Sequence, residues 1–348
     1  MSRIWVCVLM STTAVGFAAD RFDPTVPDVV LGIHGGIGDA DQELAPEVEK
    51  EMRAAMELAL RNGHALLKQG KPSLDAVEAA IRVLEDSPQF NAGRGAVFTN
   101  NGTNELDASI MDGKTKQAGA VAGVMVVKNP ITAARAVMEK SKHVLLTQRG
   151  AEQFAKEQGL EIVDPKYFRT EHRWKALQER IEKDKQQQQN PPAQAAAFQR
   201  LTKVEYGTVG AVAIDQSGNL AAGTSTGGMT NKMYNRLGDS PIIGAGTYAE
   251  NGVAAISCTG HGEFFIRYAV SHEIVAQMKY KGVTALEAAD DVINKQLPSA
   301  FKRKPDDAEG AAIVLDKNGG FTTAYNYPAL FRGYITKDGT VRVRLNQK

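Results

Sequence analysis

The stretch that decides the fold is "VEYGTVGAVAID", Val204–Asp215, where an apolar, strand-like run begins abruptly at Gly207 and Thr208. Just before it lies "KDKQQQQNPPAQAAAFQR", residues 183–200, which contains almost no residues able to build a core. The glutamine run and Pro191–Pro192 predict a flexible linker over about residues 183–206. A buried strand that begins with a threonine, behind a glycine and at the end of a linker, needs a chemical explanation.

Hydrophobic periodicity predicts strands at the front of both halves of the chain, each group followed by helices. Before the linker, strands are expected at 28–36, 104–113 and 119–127, with helices at 45–70, at 73–88 and over most of 131–185. The inward positions of the first two helices are expected to be Val48, Met52, Met56, Leu60, Leu74, Val77, Ile81 and Leu84, with Ser73 as the N-cap of the second.

After the linker, strands at 208–215 and 220–226 are expected to pair as a hairpin. Further strands are expected at 252–260, 310–316, 319–326 and 340–345, and helices at 263–282 and 284–297. This order favours an α+β fold over βαβ alternation. The predicted architecture is a four-layer αββα sandwich, in which two antiparallel sheets are flanked by helices.

The chain has 348 residues and a net charge of +1, so charge gives no reason to expect nucleic acid or an acidic membrane as a partner. Its start, "MSRIWVCVLMSTTAVGFAAD", combines an early arginine, an apolar run and Ala18–Ala19, and predicts a signal peptide over residues 1–19. Polar residues inside that run argue against the alternative, a buried first helix. We therefore expect export, to a periplasm or outside the cell. Cys258 would then be the only cysteine of the mature chain, which could form no internal disulfide.

The sequence lacks H-E-x-x-H, paired C-x-x-C and a full G-x-G-x-x-G, which are typical of zinc and dinucleotide sites. The second half has instead a concentration of glycine and threonine in "GTVG", "GTSTGGMTN", "GAGTY" and "SCTGHGE". Taken singly, each of these is more typical of a tight turn or a strand end than of a site.

A cut between Gly207 and Thr208 would give the threonine hydroxyl a base on its own residue. The new α-amine has an unperturbed pKa of about 7.7–8.0, which suits proton abstraction near neutral pH. Thr208 could make the cut itself, by attacking the Gly207 carbonyl to give an ester that water hydrolyses. A preceding glycine tolerates the strained backbone this requires, and a loose linker lets the new chain end leave. We therefore expect one structural domain formed by an α subunit, 20–207, and a β subunit, 208–348.

Residues 207–267, from "GTVGAVAID" to "CTGHGEFFIR", resemble the plant-type asparaginase and isoaspartyl peptidase family of N-terminal nucleophile hydrolases. "HGGIG" at 34–38 and "LEDSPQFNAGRGAVFTNNGTNELDASIMDG" at 84–113 resemble the first subunit of the same family. The likeness covers most of the mature chain, with the motifs in the family's order. It implies a self-processing amidohydrolase that acts on isoaspartyl dipeptides and L-asparagine, assembled as a dimer of αβ heterodimers.

The resemblance also implies catalytic roles for individual residues. Thr208 would be the nucleophile of both self-cleavage and hydrolysis, and Thr226 would hydrogen-bond its hydroxyl and amine. Thr259 and Gly260 would form the oxyanion hole and contact substrate, and Gly262 would line the site.

Substrate contacts are implied for Arg236, which would bind the α-carboxylate, for Asp239, which would bind the α-amine, and for Asn91, near the scissile amide. A surface ion pair is the alternative for Arg236 and Asp239, but a zwitterionic substrate needs one cation and one anion close together. No cofactor is expected for catalysis. A structural sodium ion is implied, bound by the backbone carbonyls of Leu84, Glu85, Ser87, Phe90, Ala92 and Arg94; an ordinary helix-to-strand connection is the alternative for that loop.

The chain departs from the family at Tyr234 and Asn235, where Pro-Gly is usual before the arginine. Glycosylasparaginase, with the same chemistry and a sugar-bearing leaving group, is the nearest alternative. That branch usually has an acidic residue before the nucleophile, so Gly207 favours the isoaspartyl peptidase branch. An uncleaved periplasmic binding protein is the alternative from another class.

Overall fold

The computed structural model describes residues 22–38, 44–189, 207–301 and 308–345. The expected signal peptide and residues 190–206 of the expected linker lie outside these ranges. The strands are β1 Phe22–Val26, β2 Val29–Gly38, β3 Leu106–Asp112, β4 Ala118–Val124, β5 Leu145–Thr147, β6 Val209–Ile214, β7 Leu220–Thr226, β8 Thr247–Glu250, β9 Ala254–Gly260, β10 Gly310–Asp316, β11 Phe321–Tyr325, β12 Ala329–Thr336 and β13 Val341–Arg344.

The helices are α1 Pro46–Lys68, α2 Ser73–Asp86, α3 Pro130–Lys140, α4 Gln148–Glu157, α5 Glu171–Gln189, α6 Gly262–Tyr268, α7 Val270–Lys281, α8 Ala285–Asp290 and α9 Leu297–Ala300. A π-helical segment, Asp291–Gln296, joins α8 to α9, and short 3₁₀ turns occupy Gly93–Gly95 and Pro165–Phe168. In the part of the chain that the structure describes, no helix has both the length and the apolar character needed to cross a bilayer.

The strands form two sheets. The larger has the order β13-β12-β2-β6-β7-β3-β4-β5, and the smaller has the order β1-β11-β10-β9-β8. All neighbouring strands are antiparallel except β4 and β5. Strand alternation buries both faces of the larger sheet: Ala211 and Ala213 of β6 pack on the helix side, whereas Val212 packs against the other sheet.

Three buried clusters define the layers. One packs α1, α2 and α3 on the outer face of the larger sheet, and another packs α6, α7 and α8 on the outer face of the smaller sheet. The third lies between the sheets and includes Val212, Ala222 and Ile313. The predicted α+β sandwich of four layers is therefore confirmed.

Strands that precede residue 207 in the sequence and strands that follow it are interleaved within the larger sheet. β2 lies between β12 and β6, and β3 pairs with β7. Neither half of the chain could leave without breaking backbone hydrogen bonds in the middle of this sheet.

The predicted β6–β7 hairpin is present, and its turn also fixes a helix. The Asp215 carboxylate accepts the backbone N–H groups of Ser217 at 2.9 Å and Asn219 at 3.0 Å. Its other oxygen accepts the N–H of Ser73 at 3.3 Å. Ser73 is thus not the N-cap that the sequence suggested: Pro72 takes that position, and Asp215 satisfies the first helical N–H from across the fold.

Several element boundaries differ from the prediction. The helix expected over 263–282 is two helices, because Ala269 adopts a left-handed conformation with φ of 50°. α5 continues to Gln189, so the first residues of the expected linker are helical, as the good helix propensity of lysine and glutamine allows. β1, β5, β8 and β12 were not foreseen.

Candidate active site

Thr208 lies immediately before β6, and its side chain is buried in a pocket. The hairpin register places the start of β6 beside the end of β7, so Thr208 meets Thr226. The Thr208 hydroxyl donates a hydrogen bond to Thr226 Oγ1 at 3.0 Å, and Thr226 Oγ1 also accepts the N–H of Gly228 at 3.0 Å. The predicted pairing of these two threonines is therefore present in the structure.

The bond that precedes Thr208 is enclosed by close backbone contacts. A Cβ added at Gly207 would lie 2.7 Å from Thr259 Oγ1, and one added at Gly36 would lie 2.4 Å from the Gly207 carbonyl carbon. Gly36 also has a φ of 98°, which favours glycine. The N–H of Gly207 donates to the Ile37 carbonyl at 3.2 Å. Gly36, at the end of β2, is thus sterically required against the 207–208 bond, and a side chain at Gly207 would force the Thr259 hydroxyl to move.

Thr259 and Gly260 end β9 and line the same pocket as Thr208. The Thr259 hydroxyl is buried and has no hydrogen-bond partner among the described residues. A buried hydroxyl without a partner is costly unless a ligand or water completes it. It is therefore available to a charge that develops beside Thr208.

Arg236 and Asp239 also line the pocket. Arg236 is held by Glu263, the second residue of α6, through two bonds of 2.7 Å: Nε to Oε1 and Nη2 to Oε2. Burial favours the neutral carboxyl of Glu263, but the hydrogen bonds and charge of Arg236 outweigh it and lower the pKa of Glu263. Sequence reasoning missed Glu263, although it directly follows the Gly262 that was singled out.

Asp239 is buried, and its Oδ2 has no hydrogen-bond partner in the described part of the chain. Burial raises the pKa of Asp239 to about 7, against the opposing charge of Arg236. A cationic ligand in the pocket would restore the charged form. The Arg236–Asp239 region thus presents a fixed cation beside a carboxylate with an unused oxygen.

Gly262 and Asn91 shape the site. A Cβ at Gly262 would lie 2.7 Å from the Cα of Gly238, so the glycine lets α6 begin directly against the loop that carries Asp239. Asn91 donates from Nδ2 to the Gly228 carbonyl at 2.7 Å and accepts the N–H of Val97 at 3.0 Å. Asn91 therefore supports the turn after Thr226 as well as lining the pocket.

Tyr234 and Asn235, where the sequence departs from the expected family pattern, both adopt left-handed conformations, with φ of 58° and 56°. Asparagine tolerates that region well, and tyrosine does so only at some cost. The Tyr234 side chain is 94% exposed.

A buried cation, Lys232, holds the loop that carries Arg236, and the sequence analysis did not identify it. Lys232 Nζ donates to the Glu105 carbonyl at 3.0 Å and lies 3.9 Å from Oδ2 of Asp107. Asp107 also accepts the N–H of Gly123 at 2.8 Å. Burial raises the pKa of Asp107, and the charge of Lys232 opposes that shift. Residues from before and after position 207 are thus joined directly behind the pocket.

A chain of hydrogen bonds between buried side chains connects the two sheets; it begins at a histidine and continues through hydroxyl groups. His34 Nε2 lies 2.9 Å from Ser257 Oγ, which lies 2.7 Å from Thr224 Oγ1. Thr247 bonds Thr224 at 2.6 Å, and Ser109 bonds Thr247 at 2.8 Å. Burial lowers the pKa of His34 to about 3, against a smaller raising contribution from the Thr208 backbone. His34 is thus neutral near pH 7 and serves as a hydrogen-bonding group.

The loop over residues 84–94, which is expected to bind sodium, packs closely against its own backbone carbonyl groups. A Cβ at Gly93 would lie 2.3 Å from the Glu85 carbonyl oxygen, and one at Gly95 would lie 2.1 Å from that of Phe90. The Leu84, Phe90 and Ala92 carbonyls each accept one backbone N–H, which leaves each oxygen a second lone pair. Neutral oxygen donors of this kind fit a hard cation. No cluster of three or more histidine, cysteine or acidic side chains that could hold a metal occurs in the described ranges.

Comparison with known proteins gives consistent results. The family model described as Asparaginase (Asparaginase_2) matches residues 27–345. The isoaspartyl peptidase of Escherichia coli (strain K12) is 43% identical over 307 residues, covering 88% of this chain and 92% of that protein. That of Salmonella typhimurium is 43% identical over 315 residues, covering 88% and 94%. The isoaspartyl peptidase/L-asparaginase of Homo sapiens is 39% identical over 296 residues, covering 85% and 89%.

Proposed function

The chain belongs to the asparaginase family, and we propose from that premise that it hydrolyses isoaspartyl dipeptides and L-asparagine and releases L-aspartate. One observation carries the proposal: the Thr208 hydroxyl, 3.0 Å from Thr226, shares a pocket with Arg236 and Asp239. A nucleophile beside a fixed cation and a buried carboxylate suits an amide substrate that carries an amino-acid head group.

Self-cleavage would create the mature nucleophile. The Thr208 hydroxyl oxygen attacks the Gly207 carbonyl carbon, the peptide C–N bond breaks, and the nitrogen takes up the hydroxyl proton to become a free amine. Water then hydrolyses the resulting ester to leave a Gly207 carboxylate and an N-terminal Thr208. The packing around Gly207 supports this step, because a Cβ there would lie only 2.7 Å from Thr259 Oγ1, so that buried hydroxyl lies beside the residue whose carbonyl is attacked.

Hydrolysis would repeat the same chemistry on the substrate. The Thr208 α-amine takes the hydroxyl proton while Oγ1 attacks the β-carbonyl carbon, and the leaving amine or ammonia accepts that proton. Thr259 and the N–H of Gly260 would stabilise the oxyanion, and Thr226 would orient Oγ1. Water attacks the β-aspartyl ester in a second cycle and frees aspartate and Thr208.

Arg236 and Asp239 would bind the substrate's α-carboxylate and α-ammonium. Glu263 uses Nε and Nη2 of Arg236, so Nη1 makes no bond to any described residue. This fixed guanidinium edge can face a carboxylate, while Asp239 Oδ2 can accept an ammonium proton.

The decisive test is the mass of the purified protein. We expect a fragment that begins with Thr208, together with activity on β-aspartyl-leucine and asparagine and little on a glycosylated asparagine. Thr208→Ala should remain one chain and be inactive, whereas Thr115→Ala, in the exposed turn after β3, should behave as the parent. Cleavage of Thr208→Ala at this bond would contradict the mechanism.

We further propose that the carbonyls of Leu84, Glu85, Ser87, Phe90, Ala92 and Arg94 hold a sodium ion. The ion would supply no chemistry to the reaction and would stiffen the loop that carries Asn91. Replacing sodium by tetramethylammonium should lower the thermal midpoint of the protein. An unchanged midpoint would argue against the ion.

Export and assembly are also proposals. The amino-terminal pattern supports secretion, so N-terminal sequencing of the mature α chain should begin near Asp20. Family membership supports a dimer of αβ heterodimers, and sedimentation should then give the mass of two processed chains. A cytoplasmic protein with an intact N-terminus would contradict export. A sedimentation mass equal to one αβ heterodimer would contradict the dimer of heterodimers.

A further inference from the structure

Helix α5, the last helix that the structure describes before the 207–208 bond, contacts the chain that follows that bond. The contact is made by Asp184, whose Oδ2 accepts a hydrogen bond from Nδ2 of Asn231 at 2.8 Å. The other oxygen, Oδ1, accepts Nε of Arg180 at 3.0 Å, one helical turn earlier in α5. Arg180 itself lines the pocket that holds Thr208. Both oxygens of the Asp184 carboxylate are therefore engaged, and its direction is fixed.

Asn231 is the residue at which three segments of the chain meet. Its backbone N–H donates to the Phe98 carbonyl at 2.9 Å, and its Oδ1 accepts Nδ2 of Asn100 at 2.8 Å. The bond to Asp184 uses the remaining Nδ2. Asn231 also has a left-handed conformation, with φ of 67°, which asparagine tolerates better than most residues. The backbone and the side-chain amide of Asn231 are thus held by α5 and by the segment around residue 98.

The loop between Asn231 and Arg236 is exposed. Met233 is 47% exposed and Tyr234 is 94% exposed. The N–H of Arg236 donates to the Met233 carbonyl at 3.0 Å, but this bond lies within the loop and does not tie it to another element. On this side of Arg236, the position of the loop therefore depends on the contacts of Asn231 and of its neighbour Lys232.

We propose that Asp184, acting through Asn231, positions the loop that carries Arg236, so that α5 takes part in substrate binding. This inference rests on the proposed function and deepens it. Neither Asp184 nor Asn231 lines the pocket, so both are positioning residues and neither touches the substrate. After a cut between residues 207 and 208, α5 belongs to the α subunit, whereas Asn231 and Arg236 belong to the β subunit. The Asp184–Asn231 bond is then a contact between subunits that sets how the β subunit holds the substrate's α-carboxylate.

The test exchanges the two partners of this bond. Asp184→Asn leaves one carbonyl oxygen for two donors, and Asn231→Asp places two carboxylates face to face. Either change should raise KM for β-aspartyl-leucine and the inhibition constant of L-aspartate by roughly three- to tenfold, as the loss of one hydrogen bond allows. The double variant Asp184→Asn/Asn231→Asp restores one donor and one acceptor with the direction of the bond reversed. It should return both constants toward those of the parent.

Self-cleavage and kcat separate this role from a structural one. Self-cleavage should be unchanged in every variant, because the 207–208 bond carries no free α-carboxylate, and kcat should change less than KM. Glu182→Gln is the matched control, because Glu182 is an exposed acid of the same helix, paired with Lys185, and does not line the pocket. It should leave KM and the inhibition constant unchanged. Activities are normalised to the processed fraction on a denaturing gel, and the thermal midpoint of each variant is measured in parallel.

Three outcomes would overturn the inference while leaving the proposed function intact. The first is an unchanged KM and inhibition constant in both single variants. The second is a processed double variant that binds as weakly as the single variants. The third is a lower thermal midpoint without any change in binding, which indicates a role in stability alone. A parent enzyme that is fully processed and does not hydrolyse β-aspartyl-leucine or asparagine would instead contradict the proposed function.

Discussion

Thr259 is the residue whose isolation in the structure most needs an explanation. Its hydroxyl is buried, lacks a partner among the described residues, and faces the position that a side chain at Gly207 would occupy. Thr259→Val keeps nearly the same shape and removes the hydroxyl. Losing one oxyanion donor typically lowers kcat by roughly 10²–10³-fold, and we expect a fall of that size with KM little changed. A fall under about threefold in steady-state kinetics would exclude this role.

Arg236→Lys tests the substrate clamp. Lysine cannot bond Glu263 and a carboxylate through one planar fork, so kcat/KM for β-aspartyl-leucine should fall by at least roughly tenfold. Self-cleavage should continue, because the 207–208 bond carries no free α-carboxylate. Asp239→Ala should show the same separation between hydrolysis and cleavage. Near-normal kinetics in both variants, measured on processed protein, would rule the clamp out.

His34 makes the stability of the fold depend on pH. Its folded-state pKa of about 3 lies below the ordinary value of 6.5, because burial disfavours the charged ring. Between pH 3 and pH 6.5, His34 therefore binds a proton in the unfolded chain and not in the folded protein. The contribution of neutral His34 to the free energy of unfolding is complete above pH 6.5 and is lost as pH falls toward 3. The slope is about 1.4 kcal/mol per pH unit within that window.

The measurement is urea unfolding between pH 4.5 and 7.5, in a Thr208→Ala background that keeps one chain. His34→Asn should be less stable at pH 7.5 and should lose less stability than its background on acidification. Parallel curves for the two proteins would contradict a buried neutral His34.

At this scale the sequence identified the residues that share a local motif, and the structure brings Thr208, Thr226, Arg236, Asp239, Thr259 and Asn91 to one pocket. It did not reveal Glu263, Lys232, Asp107 or Arg180 as neighbours of the site. Their partners lie up to 127 residues away, as for Lys232 and Glu105. Charged residues on distant segments carry no periodic pattern, so only the packing of the elements pairs them.

Secondary elements with strong periodicity were predicted well, and those without it were missed. The β6–β7 hairpin and the inward face of α1 follow from turn residues and apolar spacing. β12 was missed because Arg332 and Gly333 interrupt its apolar run, although it pairs with β2 over the full length of the strand. Ser73 resembled an N-cap from sequence alone, because the competing carboxylate of Asp215 comes from a different element.

Gly210 controls how closely β6 and β9 approach. A Cβ there would lie 1.9 Å from Ser257 Oγ and 2.4 Å from His34 Nε2. Gly210→Ala should therefore destabilise the fold by about 1–3 kcal/mol, as overpacking does. Gly150→Ala is the contrast, because nothing lies within 4 Å of its Cβ position in α4, and it should stabilise by about 0.5–1 kcal/mol. The measurement is urea unfolding of both variants in an uncut Thr208→Ala background. Equal changes in the free energy of unfolding for Gly210→Ala and Gly150→Ala would contradict the packing argument.

The whole molecule is a sandwich whose larger sheet mixes strands from both sides of residue 207. This arrangement was not predictable in detail, because alternation within a strand shows which face is buried and does not show which strand lies next to it. The layer order followed from the grouping of strands and helices, whereas the placement of β2 between β12 and β6 did not.

The interleaved sheet determines the reaction order of folding. While residues 207 and 208 are joined, unfolding and refolding are events of a single molecule. After a cut, the same native sheet dissociates into two polypeptides on denaturation, and recovery requires a bimolecular encounter. We expect the uncut Thr208→Ala chain to have an unfolding midpoint independent of protein concentration. Recovery of activity by the processed enzyme should therefore fall as the protein is diluted, and should be poor at low concentration. Concentration-independent recovery would show that the two segments stay associated even when unfolded. Poor recovery on dilution would instead show that the mature protein is a kinetically trapped product, because its covalent precursor cannot be rebuilt.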